Sequence, residues 1–295
     1  MTKDLRVRHT RSADGTDLTY YVLGSGPHTW LMPPAMGAPL VAMRRVLEPL
    51  SDLCTIVTWD MRGFHRSGAP ADPHAYGVEH NVEDLEAVVQ AERLERFVLG
   101  GWSMAVPVSL EYLGRDPDTD IQALVLINGP FEALLYHALP VPGAAWAVTR
   151  ALELAAHPLG RLFNPLSVRI LGRPGMGRLL VRIGLLARDP AFFEQILDEF
   201  RHVDWSRYLT VMRLLSTYSA ARHLDKVRVP TLITAGTRDA MTPLASVERL
   251  HRRIPGSELC VVEGGTHYTP AEYPEVLVAR IRRFFARHVP TGEAA

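Results

Sequence analysis

One serine stands out for its setting. In Val98-Leu99-Gly100-Gly101-Trp102-Ser103-Met104-Ala105 an apolar run ends, Ser103 follows almost at once, and a helical pattern begins. A serine on so sharp a strand-to-helix turn is driven into strained backbone geometry, with its hydroxyl lifted clear of the sheet. The positions two before and two after must be small, because strand and helix backbones crowd there, and Gly101 and Ala105 meet that demand. The amides at the start of the helix favour negative charge near the serine. The same letters also fit a small-residue loop with a helix-capping serine, so the motif needs partners. A serine hydroxyl becomes a nucleophile when a base takes its proton and an acid orients the base. His267, in Glu263-Gly264-Gly265-Thr266-His267, and Asp239, in Gly236-Thr237-Arg238-Asp239, are the candidates. Each follows an apolar run that reads as a strand, and open parallel sheets gather their sites at such strand ends.

The elements that must position these residues are legible in outline. Arg6 to Ser12 and Leu18 to Leu23 read as a hairpin turned at Ala13-Asp14-Gly15. Thr29 to Met32 is a short strand, Leu40 to Leu50 has helical spacing, and Cys54 to Trp59 is a buried strand. Strands at Phe97 to Leu99 and Leu124 to Ile127 then alternate with helices at Val78 to Leu94 and Met104 to Gly114. Such alternation predicts an α/β fold with a mostly parallel central sheet flanked by helices. From Phe131 to about Lys226 no strand is apparent. This stretch is rich in Leu, Ala and Arg and is cut by Pro140, Pro142, Pro158, Pro165, Pro174 and Pro190, so several short helices are expected. Alternation resumes at Thr231 to Ala235, Leu244 to Arg253, Leu259 to Val262 and Pro274 to His288, with a frayed tail after Val289. The expected division is a core of residues 1–130 and 227–295, with 131–226 as a helical insertion.

With these motifs in place, the chain resembles the α/β-hydrolase fold family, in particular its esterase, lactonase and haloperoxidase-like serine hydrolases. The resemblance runs from about Arg6 to His288. Gly101-Trp102-Ser103-Met104-Ala105 resembles the nucleophile elbow G-x-S-x-G. Asp60-Met61-Arg62-Gly63-Phe64-His65-Arg66-Ser67 resembles the D-x-R-G-x-G-x-S loop. Gly236-Thr237-Arg238-Asp239, followed by Pro243, resembles the acid loop, and Gly264-Gly265-Thr266-His267 the histidine loop. The chain order serine, acid, histidine is that of the family.

This resemblance implies an α/β-hydrolase fold whose residues 131–226 form a helical cap. It implies Ser103 as nucleophile, His267 as base and Asp239 as acid, with backbone N–H groups of Ala35 and Met104 as the oxyanion hole. Pro34, Trp102 and His65 are expected near the pocket, although His65 also fits a solvated loop position. Asp60 is expected to be structural, and Asn128, where some relatives place their acid, cannot act as a carboxylate. Three departures from the pattern stand out. Ala105 replaces the last glycine of the elbow, His65 replaces a loop glycine, and Pro33-Pro34-Ala35 stands where the family usually has His-Gly-x. The implied activity is hydrolysis of an ester, lactone or thioester of a small to medium apolar organic substrate, without metal or cofactor. Two alternatives stay open. One is the same triad used for perhydrolysis, carbon–carbon cleavage or natural-product cyclisation, and the other is a non-catalytic ligand-binding protein of this fold. An aspartate-nucleophile epoxide hydrolase or dehalogenase is excluded by the serine at the elbow.

Bulk properties narrow the partners. The 295 residues carry 32 Lys plus Arg against 32 Asp plus Glu, so no long-range field attracts nucleic acid or an acidic membrane. No stretch of membrane-spanning length and no signal-peptide pattern is found. Cys54 and Cys260 are too far apart in sequence for a metal knuckle or redox pair. Both are expected to be buried free thiols, which suits a reducing cytoplasm. The oligomeric state is not legible. Apolar segments at Leu134-Leu135-Tyr136, Val141 to Val148, Ile170-Leu171 and Leu179 to Leu186 are expected to share the cap's own core and a hydrophobic pocket.

Overall fold

A computed structural model describes residues 5–115, 120–135, 141 and 143–290. Eight strands form one sheet: β1 (Arg6–Arg11), β2 (Asp17–Leu23), β3 (His28–Met32), β4 (Cys54–Trp59), β5 (Arg96–Leu99), β6 (Asp120–Ile127), β7 (Thr231–Gly236) and β8 (Glu258–Val262). Their order is β1-β2-β4-β3-β5-β6-β7-β8. Only β2 runs against the rest, antiparallel to both β1 and β4; from β4 to β8 every neighbour is parallel. The hairpin turns at Asp14-Gly15, where Gly15 adopts φ +85° and the Asp14 carboxylate accepts from the Thr16 amide. The β-branched and apolar runs of β4 and β7 are buried along almost their whole length, as strands covered on both faces require.

Core helices are α1 (Val78–Glu92), α2 (Ala105–Arg115), α7 (Leu244–Arg253) and α8 (Pro274–His288). In α1 the buried Val78, Val82, Leu85 and Val88 repeat at helical spacing. Helix α8 packs Leu277, Ile281, Phe284 and Phe285 against the opposite face of the sheet. Between β6 and β7 lie α3 (Ala144–Leu171), α4 (Met176–Arg182), α5 (Pro190–Phe200) and α6 (Trp205–Thr217). Helices α5 and α6 start at capping aspartates: Asp189 accepts from the Phe192 amide, and Asp204 from the Ser206 and Arg207 amides.

Two expectations need correction here. Helices α4, α5 and α6 are short as expected, but not every proline makes a cut. Helix α3 runs 28 residues straight through Pro158 and Pro165, and Pro190 opens a helix at the first-turn position that tolerates it. Near those prolines, α3 is bonded to the start of α6. Ser206 Oγ donates to the His157 carbonyl at 3.3 Å, and the Trp205 amide to Asn164 Oδ1 at 2.8 Å. Gly160 lets the two backbones touch, since a β-carbon there would lie 2.2 Å from Ser206 N. The second correction concerns the cysteines. Cys54 is buried, but Cys260 is only half-buried because β8 is the edge strand. Tyr136, Pro140, Pro142 and the tail beyond 290 lie outside the described residues. No helix among the described residues is long and apolar enough to cross a membrane.

The loop after β4 is a structural knot. Arg62 is fully buried and satisfied on every side. Its guanidinium donates to both Asp84 oxygens (2.8 and 2.5 Å), to Asp14 Oδ2 (2.8 Å), to Ser12 Oγ (3.1 Å) and to the Ala75 carbonyl (2.9 Å). Asp60 accepts from Tyr21 Oη at 2.7 Å and from the Arg66 amide at 3.0 Å. Burial pushes the Asp60 carboxyl above its usual value, against the pull of those donors and of nearby His65 and Arg66.

Candidate active site

The elbow is built by sheet pairing carried one step too far. Past β5 the chain still bonds to β6: Ile127 N–H donates to the Gly101 carbonyl and Ser103 N–H to the Ile127 carbonyl, both at 2.9 Å. Helix α2 begins two residues after Ser103, so Ser103 itself must take φ +58°, the left-handed region that ordinary residues avoid. The crowding is measurable. A β-carbon on Gly101 would lie 2.7 Å from Met32 Cγ and 3.0 Å from Ala105 Cβ. With alanine at 105, position 101 has no room for a second methyl.

The loops after β7 and β8 meet Ser103 from the side. They are stitched together: the Arg238 amide donates to the Gly265 carbonyl at 2.8 Å and the Gly264 amide to Thr237 Oγ1 at 2.9 Å. The structure brings the three sequence candidates into one relay. His267 Nε2 is 2.9 Å from Ser103 Oγ, and His267 Nδ1 is 2.9 Å from Asp239 Oδ2. Trp102 Nε1 donates to the His267 carbonyl at 2.9 Å, tying the elbow to the histidine loop.

Asp239 is buried and surrounded by donors. Its Oδ1 accepts from the amides of Met241 (2.9 Å) and Thr242 (2.7 Å); its Oδ2 accepts from Thr242 Oγ1 (2.6 Å) and Asn128 Nδ2 (3.2 Å). Burial opposes its charge, but the His267 ring and the Thr242 hydrogen bonds outweigh burial and hold the carboxyl below its usual value. The Asn128 carboxamide also accepts from Thr234 Oγ1 and Thr269 Oγ1, so it braces the acid without a charge of its own. Sequence reasoning missed Thr242 and Thr269. The missed signal for Thr242 was its place three residues after an aspartate, where its amide and hydroxyl both reach back to the carboxylate.

A second buried carboxylate steadies the histidine loop. Glu272 accepts from the Thr266 hydroxyl at 2.7 Å and the Thr266 amide at 2.9 Å, and also from the Ala187 amide at 2.7 Å. Arg188 donates to the Glu272 carbonyl and lies 3.9 Å over the Tyr273 ring. The segment after α4 is therefore held against the residue next to His267.

Ser103 opens on a cavity of about 340 Å³. Its walls are mostly apolar and include Met36, Trp102, Leu180, Phe193, Ile196 and Phe200. Ala35 is also in the wall, and among the described residues neither its amide nor that of Met104 donates a hydrogen bond. Of the residues expected near the pocket, Trp102 is on its wall. His65 and Pro34 are not. His65 lines a separate cavity, its Nε2 3.1 Å from the Gly37 carbonyl and its backbone at φ +49°. Pro34 is buried beneath the loop. Of the apolar segments, Leu171, Leu180, Leu185 and Leu186 reach the cavity, whereas Val141 and Trp146 are exposed. The larger share of its outer wall comes from α5 and α6, which sequence reasoning did not single out.

Comparison with known proteins points one way. A family model described as alpha/beta hydrolase fold matches residues 31–273. A Neisseria meningitidis serogroup B protein named as a pimeloyl-(acyl-carrier protein) methyl ester esterase is 45% identical over 189 residues, covering 62% of this chain and 67% of that one. The AB hydrolase superfamily protein YisY of Bacillus subtilis is 24% identical over 238 residues, covering 76% of this chain and 79% of that one. The structure of a thermophilic esterase from Thermogutta terrifontis superposes with a TM-score of 0.75 at 20% identity, covering 96% of this chain and all of that one.

Proposed function

Because the chain belongs to the alpha/beta hydrolase fold family, we propose that it is a serine hydrolase cleaving an ester, lactone or thioester of a small to medium, mainly apolar substrate. The observation that carries this reading is the unbroken relay from Ser103 Oγ to His267 to Asp239, each link 2.9 Å, with the nucleophile on a strained turn.

In this reading Ser103 Oγ attacks the carbonyl carbon while His267 Nε2 takes its proton. The Asp239 carboxylate stabilises the imidazolium and fixes its tautomer through Nδ1–H. The carbonyl oxygen becomes an oxyanion held by the amides of Ala35 and Met104, where losing one donor costs about 3 kcal/mol of barrier. Collapse breaks the bond to the leaving group, which receives the proton from Nε2. Water then repeats the sequence on the acyl-enzyme, giving its proton to His267, and Ser103 departs reprotonated. The helices between β6 and β7 act as the cap, and their apolar inner wall selects the substrate. The ester-cleaving name of the Neisseria relative supports acyl transfer as the reaction.

Replacing Ser103 by Ala tests the proposal. Turnover of activated 4-nitrophenyl esters is expected to fall by about 10³-fold or more while the fold is retained. Unchanged turnover in the S103A protein refutes it.

A further inference from the structure

Apart from the relay, the pocket's lining is mostly apolar, and its polar groups are few. Tyr208, on α6, and Tyr268, directly after His267, both line it. Neither phenol hydroxyl has a hydrogen-bond partner among the described residues, and neither is sealed inside the protein. Their rings are fixed by packing: Tyr208 against Phe200 (5.5 Å) and Trp205 (5.1 Å), Tyr268 against Phe193 (5.2 Å) and Trp102 (5.6 Å). Next to Tyr208 on the same helix, Trp205 leaves its Nε1–H buried and unpaired. The other polar lining groups are engaged. Thr266 Oγ1 donates to Glu272, and Arg238 donates to the Gly184 carbonyl at the rim.

Two hydroxyls held on rigid rings, without partners, in an otherwise greasy cavity are a recognition device. Burial, and the proximity of the two phenols, push Tyr208 well above the usual tyrosine value; burial and the nearby Asp239 and Glu272 carboxylates push Tyr268 upward. Both therefore stay protonated as neutral O–H donors. Neutral donors in a dry site suit a neutral acceptor. A carboxylate would lose its hydration there, and Arg238, the one cation of the lining among the described residues, is exposed at the rim and donates to the Gly184 carbonyl. We infer that Tyr208 and Tyr268 form a subsite for a second oxygen on the substrate, a ketone or similar neutral acceptor separate from the scissile carbonyl, so that the preferred substrates are oxo-substituted acyl esters or their lactones. This inference rests on the proposed reaction for its setting, but binding alone tests it.

The probes are methyl hexanoate and its 3-, 4- and 5-oxo derivatives. Their affinity for the Ser103→Ala protein is read by calorimetry, with pocket tryptophan fluorescence as a check. In a wholly apolar pocket the oxo esters bind more weakly than the parent, because water holds a ketone better than a methylene. Paired donors reverse that order. At least one oxo ester is expected to bind about tenfold more tightly than methyl hexanoate. Adding Tyr208→Phe and Tyr268→Phe is expected to bring that ratio to one or below. If methyl hexanoate binds as tightly as every oxo isomer, or no oxo ester binds, the inference is overturned. It is also overturned if the phenylalanine variants weaken all four ligands by one common factor, since that is a structural effect. If the affinity order holds while wild-type protein cleaves none of the esters, the subsite stands and the acyl-transfer reading fails.

Discussion

At the scale of single residues, the acid tests how much of the site is electrostatic. Asp239→Asn keeps the shape but removes the charge, and it turns an amide toward the Thr242 and Asn128 donors. Steady-state kcat for an activated ester is expected to fall by roughly 10³- to 10⁴-fold at neutral pH. The same change alters stability with a defined sign. The Asp239 carboxyl titrates below its usual value in the fold, so its contribution is complete above the ordinary carboxylate value and disappears as pH falls through the lowered one. The melting temperature of D239N should lie below wild type at pH 7, and the gap should narrow below about pH 4. Ser103, His267 and Asp239 could be read from sequence because each sits just past an apolar run. The donors around Asp239 were less legible. Thr242 carried a local signal in its place three residues after the aspartate, but Asn128 and Thr269 come from other loops, and nothing in their spacing says that they converge.

Elements set what those residues face. The strands were legible because their β-branched runs are short and bounded by turns, and the hairpin announced itself at Asp14-Gly15. The long helix α3 was not, because proline in a sequence signals a break, whereas here the helix runs on through Pro158 and Pro165 while packed against α6. The pocket wall was hidden for a related reason. Leu154 and Leu162 are apolar and exposed, while Phe193 and Ile196 are apolar and line the cavity. Composition alone does not separate such faces. The contact of α3 with α6 gives a test at this scale. Gly160→Ala places a methyl 2.2 Å from Ser206 N, and neither backbone can yield by rotating a side chain. The variant is expected to lose about 1–3 kcal/mol in urea unfolding. Because α6 also carries Tyr208, its KM should change more than its kcat.

For the molecule as a whole, the knot at Arg62 joins the hairpin, the loop after β4 and helix α1 at one buried charge. Arg62→Ala strands Asp84, which has no accessible surface of its own. A loss of about 3–5 kcal/mol in unfolding free energy is expected, with the activity of the molecules that remain folded largely retained, since Arg62 is not among the residues that line the Ser103 cavity. Preserved stability in R62A would mean that the knot is redundant. The other end of the sheet carries a comparable fastening with a different consequence. Glu272 clasps Ala187 of the helical lobe and Thr266 beside the imidazole with one carboxylate. Parting that corner would break the hydrogen bonds on both sides of Glu272 and loosen the loop that carries His267. In the proposed reaction, substrate and product that leave the base poised would therefore pass along another margin of the lobe.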